Sequence, residues 1–516
     1  MSYKPSTGLL EAIRNLFVLE ICPWDDYYLR MAQTDFLCGR HNLKASKTFF
    51  IRKAPFGGAY TVLGGLTAFL RVLQDYTFND EVCIALKDQG YRPQFIEYLK
   101  TLQKINVTVY SGPEGSVFFP NEPAIILEGS LLAIRIAEGI LLKNVNFPSL
   151  LMTKWQRVCQ AANPGKVMEF ARRRAQDDLR VSLYAHLAGA DLSSNAEIRR
   201  GADIKVVGTM GHEWIQSFGN EFEAFDKWLE FNPDRPVLLV DTIDTLNSGL
   251  PNAIKAFQKH KAKIALTGAV PGIRNDSGDL AFITIEERKA LNQFNLDDVV
   301  IFETNDLDEY SIEAIRQQIF TNAPRAGLDS EKTLNKIVWA CGTQPGTCSD
   351  QPSLGGVAKL TSIEYEGIER AVIKLAKDNP IKTSIPGSNR SSFIRKKDTG
   401  EILCCLVHGK DEKFNDTVKA CHPDDQNKYS LYYQDVEYIP RQRIVFENFS
   451  MIGNPQISDV RTFIKNEVGM LHWTNKRFQS PHIVKVSLSE KLFGLRQWLI
   501  SNNRLMNQDK FPGKEF

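Results

Sequence analysis

At 516 residues the chain is too long for one ordinary hydrophobic core and is expected to fold as two or three domains. Hydrophobic residues at 43%, charged residues at 24% and a formal net charge of +2 describe a globular chain and argue against nucleic acid or a membrane surface as partner. No run of about 18 apolar residues occurs, residues 1–10 lack the apolar segment of a secretion signal, and the nine cysteines, without CxxC spacing, read as reduced thiols of a cytoplasmic protein.

Residues 8–20 are amphipathic and predict a helix, and Trp24-Asp25-Asp26-Tyr27-Tyr28 leads into a second one. Residues 47–53 read as a strand, Pro55-Phe56-Gly57-Gly58 as a turn, and residues 66–73 and 90–104 as helices. Short strands follow at 107–110, 117–119 and 124–127, so the first 145 residues form an α+β part.

From about residue 165 short apolar segments alternate with amphipathic stretches. Strands are expected at 167–170, 204–207, 237–240, 264–266, 299–302 and 337–339, spaced as repeated βα units of a parallel sheet or barrel. Residues 146–365 are therefore read as an α/β barrel-like catalytic domain. Residues 366–516 form a C-terminal part that begins β-rich, is polar and poorly patterned over 411–440, and ends in a helix announced by Ser487-Leu488-Ser489-Glu490.

The chemistry gathers at the strand ends, where such sheets place their sites. Phe170 runs into Arg172-Arg173-Arg174, a solvated charge run or a set of forked donors for phosphate and carboxylate. The segment 204–207 runs into Gly208-Thr209-Met210-Gly211-His212, a strand, glycine turn and helix that aim backbone N–H groups at an anion with a histidine at the mouth. Gly342-Thr343 offers a second cradle. Arg274-Asn275-Asp276-Ser277-Gly278-Asp279 adds a guanidinium and two carboxylates, an Asx turn or a holder of ribose hydroxyls or magnesium. Together these groups suit a multiply phosphorylated substrate. The 237–242 segment has the strand and acid of a purine-salvage phosphoribosyltransferase, but lacks the adjacent second acid and the Thr-Thr-Gly loop, so that fold is rejected.

These motifs, in this order, resemble the nicotinate phosphoribosyltransferase family. The likeness runs from about Trp24 to Ile500 and includes Tyr27-Tyr28-Leu29-Arg30-Met31, Glu169 to Gln176, Ser193-Ser194-Asn195, Gly208 to Trp214, Asp241-Thr242, Ile273 to Leu280, Gln351 to Leu360 and Ser480-Pro481-His482. Gly211 stands where the family usually has Ala, Ala171 where it has Gly, and Ala358 where it has Tyr.

The resemblance implies an irregular (β/α) barrel joined to a second α+β domain built from both chain ends. It implies transfer of a phosphoribosyl group from 5-phosphoribosyl 1-diphosphate to nicotinate, coupled to ATP hydrolysis through a phosphohistidine at His212, with Mg²⁺ required. It implies a homodimer with shared sites, in which Tyr27 stacks on the pyridine ring of the neighbouring subunit. Tyr27, Phe170, Arg173, Ser194, Thr209 and Arg274 are expected on the nicotinate side. Gly208, Asp276, Ser277, Gly342, Thr343, Gly355 and Gly356 are expected on the phosphoribosyl diphosphate side, with Asp276 and Asp279 toward magnesium. Nicotinamide phosphoribosyltransferase, a relative with the same barrel and histidine, is the alternative; such relatives carry an Asp where Ser194 stands here.

Overall fold

The computed structural model describes residues 5–414 and 417–506. Residues 1–4 of the N-terminal stretch and residues 415–416 of the polar 411–440 stretch lie outside the described residues. The chain divides into two compact units, one spanning Leu151–Pro352 and one combining Ser6–Leu150 with the chain from Ser353. The strand Val357–Tyr365, placed ahead of the boundary expected at 365, pairs with Lys44–Phe50 and so belongs to the second unit.

The first unit is built on a six-stranded, all-parallel sheet. Its order is Leu192–Ser193, Lys166–Glu169, Ile337–Cys341, Val300–Glu303, Gly272–Asn275 and Val237–Leu239. The central strand Ile337–Cys341 is buried along its whole length and is apolar on both faces, as a parallel strand covered on both sides must be. The sheet curls as an open, irregular α/β barrel.

Alternation along each strand sorts its side chains between two faces. Leu238, Ile273 and Ile301 point to one face and pack with Phe225, Leu229, Ala253, Ile254 and Phe257 of the covering helices. Burial of each large side chain here contributes about 1.5–3 kcal/mol. Met168, Val237, Phe302, Val338 and Ala340 point to the other face. Arg274 is in register with both Phe302 and Leu239, which puts it on this second face.

Two expected strands are not strands. Residues 264–266 close the helix Leu250–Thr267, whose buried positions Leu250, Ala253, Ile254, Phe257 and Ile264 follow the helical period and which stops at Gly268 with φ +68°. The strand of that βα unit is Gly272–Asn275, so Arg274 lies within a strand rather than in the loop after one. Residues 204–207 make only a single parallel bridge, Val206 to Ser193, because the neighbouring strand is itself two residues long.

The second unit carries a seven-stranded antiparallel sheet around Lys44–Phe50 and a six-stranded sheet around Lys485–Ser489 and Ile402–Gly409. The stretch 411–440, read as unpatterned, supplies the strands Val418–Cys421, Tyr429–Tyr432 and Val436–Pro440 to the latter. Their alternation is weak because Tyr429–Tyr432 forms the sheet edge and exposes both tyrosine and leucine. The last helix starts at Glu490 and is capped by Ser489, whose hydroxyl accepts from Leu492 N; Ser487 is in the preceding strand. All nine cysteines are free. No helix among the described residues is long and apolar enough to cross a membrane.

Candidate active site

At the C-terminal ends of the parallel strands the first unit holds a pocket of about 850 Å³. Its wall brings together Phe170, Arg173, Ser194, Gly208, Thr209, His212, Arg274, Asp276, Gly342 and Thr343, which are spread over 174 positions of sequence from 170 to 343. Four arginines, at 172, 173, 174 and 274, face three carboxylates, Glu213, Asp276 and Asp306.

Arg274 is the best-anchored of these groups. Its Nη1 donates to Thr209 Oγ1 at 3.1 Å, its Nε to Thr304 Oγ1 at 3.4 Å, and its Nη2 lies 3.0 Å from Asp276 Oδ2. The guanidinium carbon stands 5.3 Å from the centre of the Phe170 ring. Thr304 and Asp276 from two strand ends, with Thr209 from the turn after the Val206 bridge, thus fix the plane of the guanidinium while leaving further N–H groups for a ligand. Burial works to raise the Asp276 pKa, but the Thr304 hydroxyl and the Arg274 charge outweigh it and hold the carboxyl below its usual range. By contrast, Arg173 and Arg174 are exposed and make no ion pair or hydrogen bond with their side chains among the described residues.

His212 opens the short helix His212–Ser217. Its Nδ1 lies 3.1 Å from Thr242 Oγ1, and its Nε2 lies 3.8 Å from Asp241 Oδ1 and 4.0 Å from Asp276 Oδ2. The ring is 40% exposed, whereas the Asp241 carboxylate is 3% exposed. Asp241 Oδ2 accepts from Asp276 N at 3.2 Å and from Ser277 Oγ at 2.6 Å, while its Oδ1 is buried without a hydrogen-bond partner. A Cβ added at Gly208 or Gly211 would meet open space, so neither glycine is required by crowding, and the family's usual Ala would fit at 211.

Other expected residues have different local duties. The Ser277 hydroxyl is spent on Asp241. Asp279 caps the helix Leu280–Gln293, its Oδ1 accepting from Phe282 N at 3.2 Å. Gly355 and Gly356 belong to the second unit, where Gly355 has φ +71° and a Cβ on Gly356 would strike Asn146 Oδ1 at 2.4 Å and the Phe49 ring at 2.6 Å. Tyr27 is also in the second unit, exposed, with its ring centre 4.1 Å from that of Tyr28. No group of three or more His, Cys, Asp and Glu suited to hold a metal ion occurs among the described residues.

Several residues emerge only from the structure. Thr304-Asn305-Asp306 follows the strand Val300–Glu303 and lines the pocket, with Asn305 at φ +96° and Asp306 at +38°. A cluster of small polar residues after a buried strand was the signal for it. Glu169, 1% exposed, accepts from Ser193 Oγ at 2.6 Å, from Ser182 Oγ at 2.8 Å and from Ala171 N, and so ties the arginine turn to the Ser193–Asn195 turn. On the face away from the pocket, Asn275 Nδ2 donates to Glu287 Oε2 at 2.9 Å and to Glu303 Oε1 at 3.2 Å. Burial raises both carboxyls, Glu303 to about 7.

An open parallel α/β barrel with an arginine-lined, histidine-bearing pocket at its strand ends defines an enzyme-like class that handles anionic substrates. Comparison with known proteins narrows the class. Models for the N-terminal and C-terminal domains of nicotinate phosphoribosyltransferase (NAPRTase) match residues 24–146 and 395–496. A nicotinate phosphoribosyltransferase of Bacillus subtilis is 32% identical over 90% of this chain and 92% of its own length. That of Dictyostelium discoideum is 30% identical over 91% of this chain and 86% of its own. The crystal structure of human nicotinic acid phosphoribosyltransferase superposes with a TM-score of 0.72 at 25% identity, covering 94% of this chain and all of that one. The chain belongs to the nicotinate phosphoribosyltransferase family.

Proposed function

We propose that the chain transfers the phosphoribosyl group of 5-phosphoribosyl 1-diphosphate to the ring nitrogen of nicotinate, giving nicotinate mononucleotide and diphosphate, as the first step of NAD salvage from nicotinic acid. The observation that carries this reading is the anchored Arg274 beside the Phe170 ring. That pairing suits a flat aromatic ring bearing a carboxylate: the ring packs on Phe170 and the carboxylate takes the free N–H groups of Arg274.

In the reaction the C1–O bond to diphosphate breaks and a C1–N bond to the pyridine forms. Positive charge grows on the ribose and negative charge on the leaving group. Arg172 is held by Asn195 Oδ1 and lies 3.8 Å from Asp178, whereas Arg173 and Arg174 line the pocket without an ion pair among the described residues and so stay available to phosphates. Gly342 and Thr343 offer a backbone N–H and a hydroxyl at another strand end. Holding the weakly nucleophilic nitrogen in line with C1 supplies much of the acceleration. When bound, magnesium would supply positive charge against the departing diphosphate. Asp276, on the pocket wall, is an oxygen donor that would help hold it.

ATP hydrolysis is coupled through His212. With Nδ1 engaged by Thr242, Nε2 is the nitrogen free to attack the γ-phosphorus, forming a P–N bond as the P–O bond to ADP breaks. Water later cleaves the P–N bond and releases phosphate. The enzyme works as a cytoplasmic homodimer in which Tyr27 of the partner subunit stacks on the base; the exposure of Tyr27 supports that role. Ser194 lines the pocket as a neutral group where nicotinamide users carry Asp, which favours nicotinate as substrate. Diphosphate release measured with nicotinate and nicotinamide, each with and without ATP, tests the proposal. Equal turnover of the two bases would overturn the assigned substrate.

A further inference from the structure

Asn195 is fully buried and follows Ser194 of the pocket wall directly in sequence. Its carboxamide is saturated. Oδ1 accepts from Arg172 Nη1 and from Glu197 N at 3.2 Å, while Nδ2 donates to Asp178 Oδ2 at 3.0 Å and to Ser182 Oγ at 3.0 Å. The backbone N of Asn195 donates to Ser193 Oγ at 3.0 Å. One residue therefore joins the arginine turn, the helix Asp178–Ala188 and the turn that carries Ser194.

This position calls for a carboxamide, because it has to accept from a cation on one side and donate to a carboxylate on the other. Arg172 is the outer member, with its side chain 49% exposed, Nη1 tied to Asn195 and Nε 3.8 Å from Asp178 Oδ2. Arg173 and Arg174 carry no such tie among the described residues. The first of three consecutive arginines is thus bound to the wall, and the next two are not.

The turn that Asn195 fixes is connected to the groups assigned to the base. Ser194 N donates to Glu169 O at 2.9 Å, and Ser193 Oγ donates to Glu169 Oε2 at 2.6 Å. Ser193 N donates to Lys205 O at 3.1 Å, and Ser193 O accepts from Val207 N at 2.9 Å. That segment runs into Gly208-Thr209, where Thr209 Oγ1 accepts from Arg274 Nη1 at 3.1 Å. None of these bonds involves Gly342 or Thr343, so a shift of the turn reaches Ser194 and Arg274 first. Small displacements of this kind are costly to a reaction that depends on alignment. We propose that Asn195 and Arg172 form a positioning pair that sets selectivity for the base, and that Arg172 serves this pair rather than the phosphates. The inference rests on the function proposed above, in which Ser194 and Arg274 meet nicotinate.

The test compares Asn195→Ala, Arg172→Ala, Arg172→Gln and the double alanine variant. Each alanine variant should raise the KM for nicotinate by roughly fivefold or more and lower the preference over nicotinamide, with the KM for 5-phosphoribosyl 1-diphosphate changing less than about twofold. The double variant should be no more than about twofold worse than Asn195→Ala, because the two residues act as one unit. Arg172→Gln keeps an N–H for Asn195 without the charge and should recover most of the nicotinate KM. Arg172 is half exposed, so its variants keep the fold even where Asn195→Ala does not. A KM rise confined to 5-phosphoribosyl 1-diphosphate, additive effects in the double variant, or equal losses in Arg172→Gln and Arg172→Ala would overturn the proposal. Amide hydrogen exchange reads the pair without any substrate. Residues 193–207 should lose protection in Arg172→Ala while the strand Ile337–Cys341 keeps it, and unchanged protection over 193–207 would also overturn the pair. A wild-type chain that does not turn over nicotinate would instead strike the function proposed above, with hydrogen exchange still deciding the pair.

Discussion

Thr242 Oγ1 lies 3.1 Å from His212 Nδ1, so the hydroxyl after the strand Val237–Leu239 sets the bearing of the histidine that opens the helix His212–Ser217. The contact leaves Nε2 as the outward nitrogen. His212→Ala should abolish acid-labile label from γ-labelled ATP and the ATP stimulation of turnover. Thr242→Val removes one hydrogen bond and should cut the labelling rate by roughly tenfold, the equivalent of about 1.4 kcal/mol, without abolishing it. Undiminished labelling of His212→Ala would rule out this residue as the phosphoryl acceptor.

Thr343 stands at the start of a short helix after the strand Ile337–Cys341, on the pocket wall. Thr343→Val keeps the shape and removes the hydroxyl. The KM for 5-phosphoribosyl 1-diphosphate should rise by roughly fivefold to tenfold, that for nicotinate much less. Steady-state kinetics with each substrate varied in turn would show the opposite pattern if Thr343 faced the base.

Ser194 is a neutral wall residue close in sequence to the Glu169-anchored turn. Ser194→Asp would set a negative charge against the carboxylate of nicotinate across a partly dry gap. Its kcat/KM with nicotinate should fall by roughly 100-fold, with slight gain of nicotinamide use. Unchanged selectivity between the two bases in the variant would remove Ser194 from the specificity argument.

Tyr27→Ala and His212→Ala chains, each inactive or nearly so alone, should recover part of the wild-type rate when mixed, because one hybrid site then has both residues intact. Activity of verified mixed dimers is the measurement. No recovery would mean that each site is completed within a single chain.

Glu303 is fully buried beside Glu287, and burial lifts its pKa from 4.5 to about 7. The folded chain therefore binds more protons than the unfolded one between these values, and stability falls as pH rises from about 4.5 to about 7. The neutral Glu303→Gln should make that decline shallower and raise stability over wild type at pH 8, with the buried Glu287 keeping its own share of the pH dependence. Denaturant unfolding at pH 5 and pH 8 measures both. A wild-type stability that climbs over this range would contradict the assignment.

The motifs Arg172-Arg173-Arg174, Gly208 to His212 and Gly342-Thr343 were legible in the chain because each follows an apolar segment, and local order of that kind survives without knowledge of the fold; Arg274 to Asp276 was legible by its own run of charged and small polar residues. The parallel βα texture was legible for the same reason: buried strands are apolar and evenly spaced. Where periodicity was short, neighbours decided. Residues 264–266 look like a strand alone, but belong to a helix because Ala253, Ile254 and Phe257 before them already bury one helical face. Residues 204–207 have too little partner strand to pair with.

What only the tertiary structure decided is the pairing of groups far apart in sequence. The chain alone names Arg274, Thr209 and Asp276, but only strand register and curl put Thr209, Asp276 and the unforeseen Thr304 around the Arg274 guanidinium. Likewise Asp279 reads as a ligand in sequence and serves as a helix cap in the fold, because its backbone neighbours turn helical at Leu280. The buried Glu287–Asn275–Glu303 cluster was invisible for a related reason: a carboxylate's burial depends on which helix covers which strand, a property of packing that no local pattern carries.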